Sequence, residues 1–431
     1  MHTNILVVYR HRYTFPMRHN IKGHLYSFAN HSKHRIFYLN TAFRVPRYIF
    51  RINFDLVIFH TTFLSKLKWS RLPYSKLIHK VSDLKHIDAI KVILSQDEFI
   101  RTDVICQFIN DFEINVVFSV AEQSEWGKIY PTVDRSKVRF AAVLTGYLED
   151  DTVGKIQNFS KRIQERSIDI GYRAYEAPYW LGRHGYLKRK IAEVFTKHVL
   201  RKNLKVDISV EEKDVFLGLD WYRFLLNCKY VIGAEGGSSI LDSDGSIRDR
   251  VENYLVQNPK ACFEETEEAC FNGLDGNLKL SAIGPRHLEA CVTRTCQVLV
   301  EGSYNGILKP TIHYIPVKSD FSNIEEVLKT IEDDSKREEI VEQAYKDIVE
   351  SRKFTYKHFV HDVLTKSLEG EGTQSKSFFN IFSYHYNRFR ECLIWKIILI
   401  ESYCVRLAVQ VLPASWIQLL RLLTYRIRGE M

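Results

Sequence analysis

The stretch Ile168-Asp169-Ile170-Gly171-Tyr172 reads as a strand, and an amphipathic run over 186–200 follows it after a short loop. Leu187, Ile191, Val194, Phe195 and His198 share one side of that run, the spacing of a helix that covers a sheet. The same rhythm has already run once upstream. Residues 5–9, 35–39, 55–59, 91–95 and 115–119 are short runs rich in Val, Ile and Phe. They lack polar alternation, as strands buried on both faces of a parallel sheet do. Stretches such as 24–32 and 103–111 lie between them with length enough for crossover helices. Beyond Tyr172, strands are expected at 204–210, 230–233, 297–301 and 311–317, with a helix at 287–294. A further helix over 324–332 is capped by Asn323, with Glu326 three residues on. Residues 337–367 read as a long polar-faced helix broken around Lys353-Phe354. Two βα-alternating halves without internal repetition predict an α/β protein of two Rossmann-like domains facing across a cleft. Their expected extents are 1–160 and 161–366.

Length and composition agree with this division. A chain of 431 residues is long for one domain, and 45% hydrophobic with 26% charged residues excludes a disordered chain or a polytopic membrane protein. The eight cysteines form no C-x-x-C pair, so their spacing supports neither a zinc site nor a disulfide framework. Residues 5–9 are too short for the apolar core of a signal peptide, and a reducing cytoplasm is expected.

The net charge of +9 is unevenly spread. Residues 1–80 hold fourteen Lys/Arg and a single acid, Asp55, while 81–377 are net acidic. A linker is expected at 367–377, and 378–431 form a tail of different character. In it Lys396, Glu401 and Arg406 interrupt the apolar run, which disfavours a membrane span. Further on, Trp416, Leu419, Leu420, Leu423 and Ile427 recur at helical spacing beside Arg421, Arg426 and Arg428. Such an amphipathic basic helix suits a membrane interface or a partner protein.

The absent motifs narrow the function. There is no G-x-G-x-x-G after the first strand, no P-loop, no H-E-x-x-H and no G-x-S-x-G elbow around Gly236-Gly237-Ser238-Ser239. The richest stretch is Pro285-Arg286-His287-Leu288-Glu289-Ala290, then 297–301, then Gly302-Ser303-Tyr304-Asn305-Gly306. A Glu opening a helix beside a sheet end suits the vicinal hydroxyls of a ribose or sugar. A glycine turn after a strand lets backbone N–H groups approach a phosphate, and Arg286 could grip one bidentately.

The order of helix with Glu-Ala, strand, glycine turn, strand and capped helix resembles the donor half of GT-B glycosyltransferases. Four stretches are similar to bacterial cell-surface polysaccharide glycosyltransferases of that fold. They are Ser95-Gln96-Asp97-Glu98-Phe99, Asp169-Ile170-Gly171-Tyr172-Arg173, Gly233-Ala234-Glu235-Gly236-Gly237-Ser238-Ser239-Ile240, and Glu301-Gly302-Ser303-Tyr304 with His313-Tyr314-Ile315-Pro316. The resemblance covers roughly 1–365 and leaves the tail unexplained. It implies transfer of a sugar from a nucleotide-sugar donor, UDP- or GDP-linked, without a metal or other cofactor. It places the donor at Arg173, Lys188, Glu235, Gly236, Gly237, Ser238, Arg286, Glu289, Glu301, Gly302, Ser303 and Tyr304.

Glu289 matches the second glutamate of the family's E-x7-E pair, but Ser281 stands where the first belongs, leaving the sugar contact to Glu301 or Glu235. For the diphosphate, Arg183, Arg189 and Lys190 compete with Lys188. The acceptor's base is expected from the first domain at Asp97 or Glu98, which follow a strand end, with His60 and His24 as weaker candidates. The basic first eighty residues and the tail fit a glycan or polyprenyl-diphosphate-linked acceptor at the anionic inner face of a cell membrane, with no nucleic-acid partner. Two alternatives stand beside this reading. One is a nucleic-acid-binding or scaffold protein using the basic N-terminal region. The other is a metal-dependent GT-A enzyme using Asp242 and Asp244, although Leu-Asp-Ser-Asp-Gly-Ser is also an ordinary Asx turn.

Overall fold

The computed structural model describes residues 3–12, 17–157, 159, 165–199, 204–369 and the isolated positions 384, 385 and 389. The expected tail helix around Trp416–Ile427 and most of the expected linker lie outside them. Among the described residues, no helix is long and apolar enough to cross a membrane.

The first half builds a six-stranded parallel sheet from β1 (Asn4–Tyr9), β2 (Arg35–Asn40), β3 (Leu56–Phe59), β4 (Ile90–Leu94), β5 (Val116–Ser119) and β6 (Arg139–Ala142), in the order β2-β1-β3-β4-β5-β6. β1 shows why these strands read as continuous apolar runs. Leu6 and Val8 enter a core on one face, while Ile5, Val7 and Tyr9 enter a separate core on the other, all at 0% exposure. Both faces are covered, so no position along the strand tolerates water.

The second half repeats the plan with β7 (Ile168–Arg173), β8 (Val206–Ser209), β9 (Cys228–Gly233), β12 (Cys296–Val300) and β13 (Ile315–Val317), all parallel, in the order β13-β12-β9-β7-β8. The intervening β10 (Gly236–Ser238) and β11 (Leu280–Ala282) form a separate antiparallel hairpin. Counted from its own first strand, the second sheet has the order 2-1-3-4-5 and the first the same order with a sixth strand added, with a topological switch between β1 and β3 and another between β7 and β9. Asn323 opens the helix Ile324–Thr330 as expected, but its side chain does not cap the helix: Oδ1 accepts the Lys318 N–H at 2.9 Å. The expected strand over 311–317 shortens to β13.

The halves are tied together more than a single crossing near residue 160 would require. Ile240, Ile247, Val251, Phe263, Phe271 and Leu280, from the span between β9 and the end of β11, pack into the first unit's core. Strand-like bonds join the two units there: Asp242 N to Phe99 O at 2.7 Å and Arg101 N to Asp242 O at 2.9 Å. At the C-terminal end, the helix Tyr356–Leu368 returns to the opposite face of the first sheet through Phe359, Val360 and Val363. It follows a helical stretch that breaks at 351–355, where the Lys353-Phe354 interruption was expected.

Candidate functional site

In an open parallel sheet a ligand crevice forms beyond the carboxyl ends of the strands, at the switch point where crossovers leave in opposite directions. The second unit has its cleft there. A cavity of about 330 Å³ is lined by residues 172–175 at and just beyond the end of β7, by 231–234 at the end of β9, and by 284–287 and Glu289. The first unit closes it with Arg18, His19 and Asn20, at the start of the helix His19–His31. Among the described residues Glu289 is the only carboxylate in the lining, against the cations of Arg18, Arg173, Lys188 and Arg286. A cavity so lined selects for an anion that also offers hydrogen-bond donors to one carboxylate.

Glu289 projects from the helix Pro285–Val292, which begins after Gly284 with proline at its first position, where no N–H is needed. Its Oε2 accepts the Trp221 indole N–H at 2.7 Å, and Tyr222 also hydrogen-bonds to it. Burial pushes the Glu289 carboxyl up, opposed by the Trp221 hydrogen bond and by the Arg286 charge. The Arg286 guanidinium lies 5.3 Å from the centre of the Trp221 ring and donates to the Arg173 carbonyl. Trp221 therefore sets both groups, through its edge and through its face. No sequence motif marks it, since its partner stands 68 positions away.

Lys188 is the second cation. Burial, followed by the neighbouring Arg286 charge, pushes its ammonium down to about 8, while Asp97 pulls the other way. The helix Gly182–Val199 sorts the four competing cations by their partners. Arg183 pairs with Glu267 and lies 3.6 Å from Asp275; Arg189 pairs with Glu176 and with Glu193 at 2.7 Å; Lys190 reaches Glu193 at 3.9 Å. Lys188 alone of the four lines the cavity.

Arg173 lines the cavity, but its guanidinium is committed. It donates to Asp207 Oδ1 at 2.6 Å and to the Asp207 carbonyl at 2.9 Å, between the rings of Phe216 and Phe224 at 5.0 and 4.8 Å. Its contact with Arg286 is through its backbone carbonyl, not its side chain.

The glycine turn after β12 takes a different part from the one expected of it. The Glu235 carboxylate accepts the Ser303 N–H at 3.1 Å, the Ser303 hydroxyl at 3.2 Å and the Tyr304 N–H. The N–H groups expected to meet phosphate are thus occupied from within. Gly302 is glycine for the same reason: a Cβ there would stand 2.7 Å from Glu235 Cδ. Glu301 is exposed and does not line the cavity, and the Tyr304 hydroxyl is buried against the Val300 carbonyl at 2.7 Å. Gly236, Gly237 and Ser238 form β10. Gly236 touches the cavity; Gly237, at φ +120°, lets the hairpin close where a Cβ would stand 2.7 Å from the Leu280 carbonyl carbon. Ser238 is buried and bonds to the Leu181 carbonyl at 3.0 Å.

Of the two acids after β4, Glu98 turns into the first unit. Its oxygens accept Ser119 Oγ and Val120 N, both at 2.7 Å, and the Tyr130 hydroxyl, so it holds the end of β5 and does not face the cleft. Asp97, at φ +50°, is not among the residues lining the cavity either, although its charge acts on the ionisation of Lys188 and Tyr175 as well as of Lys68. His24 and His60 form a buried pair, Nδ1 to Nε2 at 2.8 Å, inside the first unit and off the cavity lining. Asp242 is spent as a helix cap: its two oxygens accept Ile247 N at 3.1 Å and Arg248 N at 2.9 Å, and Asp244 accepts Ser246 N at 2.9 Å. No cluster of three or more His, Cys, Asp or Glu suited to a metal occurs among the described residues.

No family model and no curated protein matches this chain. Solved structures similar to it include TarM, at 13% identity and TM-score 0.43, covering 72% of this chain and 54% of that one. Also similar are Anabaena HepE in complex with UDP-glucose, at 10% identity and TM-score 0.46, covering 85% of this chain and all of HepE, and an alpha-glucosyltransferase in complex with UDP and DNA. The latter is 10% identical with a TM-score of 0.47, covering 85% of this chain and 100% of that one. The chain spans about half the length of TarM.

Proposed function

We propose that the protein is a two-lobed glycosyltransferase of the GT-B kind that transfers a sugar from a nucleoside-diphosphate donor. The observation that carries this is Glu289, the one carboxylate of the lining among the described residues, set among Lys188 and Arg286 in a cavity at the β7/β9 switch point. A nucleoside diphosphate offers both complements, a ribose diol for the carboxylate and two phosphates for the cations. The acceptor hydroxyl attacks the anomeric carbon, the bond from that carbon to the diphosphate oxygen breaks, and the nucleoside diphosphate leaves with its charge met by Lys188 and Arg286. Asp97, reaching from the first lobe, takes the acceptor proton. No metal enters this scheme, and turnover undiminished in EDTA is expected.

The acceptor belonging to this reading is a glycan or a polyprenyl-diphosphate-linked saccharide in surface polysaccharide synthesis. It would be met at the cytoplasmic face of a membrane to which the protein is peripherally attached, and the fourteen cations of residues 1–80 support that location. Thermal-shift measurements with UDP, GDP, CMP and dTDP test the donor. A ligand that binds only the folded state raises its midpoint, so one nucleotide should stabilise well above the others. Equal indifference to all four would sink the assignment. Removal of 378–431 should weaken sedimentation with anionic vesicles; unchanged sedimentation would remove the tail from the scheme.

A further inference from the structure

Away from the cleft, several cations of the first unit are buried or engaged, and others stand in solvent. Lys68 is buried, Arg71 pairs with Asp249 at 3.0 Å and with Glu252, Arg101 pairs with Asp103, and Arg10 donates to the Thr41 carbonyl. Arg35, Arg44, Arg47 and Arg51 are exposed and hold no ion pair among the described residues. All four lie on β2 or on its connection to β3, and no acid occurs between Arg35 and Phe54. β2 is the outermost strand of its sheet. The connection includes the short turn Arg47–Arg51, pinned by Ile49 at 0% exposure, and from this turn Phe50 projects outward at 42% exposure between two arginines.

We propose that this edge of the first lobe is a docking surface for an anionic lipid bilayer. Four cations free of acidic partners match a sheet of headgroup phosphates. A phenylalanine 42% exposed on the same short turn as Arg47 and Arg51 matches the boundary where headgroups give way to acyl chains. The C-terminal part of the chain touches the same edge. The Tyr384 hydroxyl accepts the Tyr38 N–H of β2 at 2.9 Å, and its ring stands 5.0 Å from Phe37. The surface gives the membrane partner of the preceding section a place on the molecule, and it does not involve Glu289 or Lys188.

The test is sedimentation of the full chain with phosphatidylcholine vesicles, with the same vesicles containing phosphatidylglycerol, and with single- and double-stranded oligonucleotides at one salt concentration. Binding is expected only where phosphatidylglycerol is present. The triple variant Arg44→Gln, Arg47→Gln, Arg51→Gln should bind about a hundredfold more weakly, at roughly 1 kcal/mol per cation and 1.4 kcal/mol per tenfold. Phe50→Ser should weaken binding about tenfold, and the triple variant should melt as the parent does, since Arg44, Arg47 and Arg51 hold no ion pair among the described residues. Failure of the parent to bind, a triple variant that binds as the parent does, or preference for an oligonucleotide over the vesicles would each overturn the proposal. Nucleotide-induced stabilisation is the separate readout: its loss in the parent with vesicle binding intact removes the transfer reading and leaves the surface standing.

Discussion

Replacing Gly302 by alanine should unsettle a device whose parts lie 67 residues apart in the chain, Glu235 and the turn after β12. The new Cβ would stand 2.7 Å from Glu235 Cδ, so the carboxylate must swing out. It then gives up the Ser303 N–H at 3.1 Å, the Tyr304 N–H and the Ser303 hydroxyl at 3.2 Å. The hydroxyl can turn to water, but the Tyr304 N–H is buried and the Ser303 N–H is part-buried, so neither is fully re-solvated. Hydrogen bonds to a charged partner contribute about 1.5–3 kcal/mol each, which puts the loss at about 4 kcal/mol. Glu235→Ala removes the same bonds from the other side and should also cost about 4 kcal/mol. The double variant decides the matter. With the carboxylate gone, alanine at 302 has nothing to strike, so the pair together should again cost about 4 kcal/mol and not about 8. In a unit of about 200 residues, that corresponds to a melting shift of about 8–16 °C, readable by calorimetry on the four proteins. Losses that simply add would refute the account of Gly302. The same account predicts that Ser303→Ala leaves UDP affinity within about twofold of the parent; a loss beyond about tenfold would show that this turn does meet the phosphates.

Trp221→Phe keeps the ring beneath Arg286 but deletes the 2.7 Å bond to Glu289, and should weaken nucleotide binding by about 1.5–3 kcal/mol in calorimetric titration. An unchanged Kd would show that Glu289 needs no indole to hold it. Because the Lys188 ammonium titrates near 8, UDP affinity should fall as pH rises through that value while uridine affinity stays level. Lys188→Met should flatten the UDP profile, and a profile that keeps its slope in the variant assigns the titration to another group. Burial also pushes His24 and His287 down to about 4, so the unfolded chain takes up their protons first, and stability should fall as pH drops from 6.5 towards 4. The loss approaches about 3 kcal/mol per histidine. Melting curves of His24→Gln should show a shallower decline over that window, and parallel curves would place the sensitivity elsewhere.

The parts of the fold that were legible in the sequence are those whose burial leaves a one-dimensional signature. β1, β3, β4 and β5 lie within a residue of the runs that announced them, because a strand covered on both faces is apolar through its centre, with Asn4, Lys91 and Ser119 confined to its ends or one step from them. β6 escaped. Its Arg139 and Ala142 are exposed and its two central residues only half-buried, so no unbroken run marks it. The hairpin of β10 and β11 escaped for the opposite reason: Gly236 and Gly237 are there to let two backbones approach, and side-chain hydrophobicity carries no record of that.

The site was legible where a local constraint and a chemical one coincide. Glu289 stands five residues after Gly284 on a helix opened by proline, so its place at the end of the sheet follows from the chain alone. The roles of its neighbours depend on partners that the sequence keeps far away. Asp97 and Glu98 are adjacent acids after one strand, and only Ser119 and Tyr130, brought in by other elements, decide that Glu98 turns inward. The helix Gly182–Val199 shows the same selection among cations. Arg183, Lys188, Arg189 and Lys190 look alike from the sequence, and acids from outside the helix, Glu267, Asp275 and Glu176, bind two of them. Glu193, on the helix itself, holds Arg189 again and reaches Lys190. Lys188 faces the cavity with Arg286 and a more distant Asp97, and desolvation by that cleft lowers its pKa towards neutrality. Its availability to a phosphate is therefore a property of where the acids are not, which emerges only once the chain has folded and each of its sister cations has been claimed.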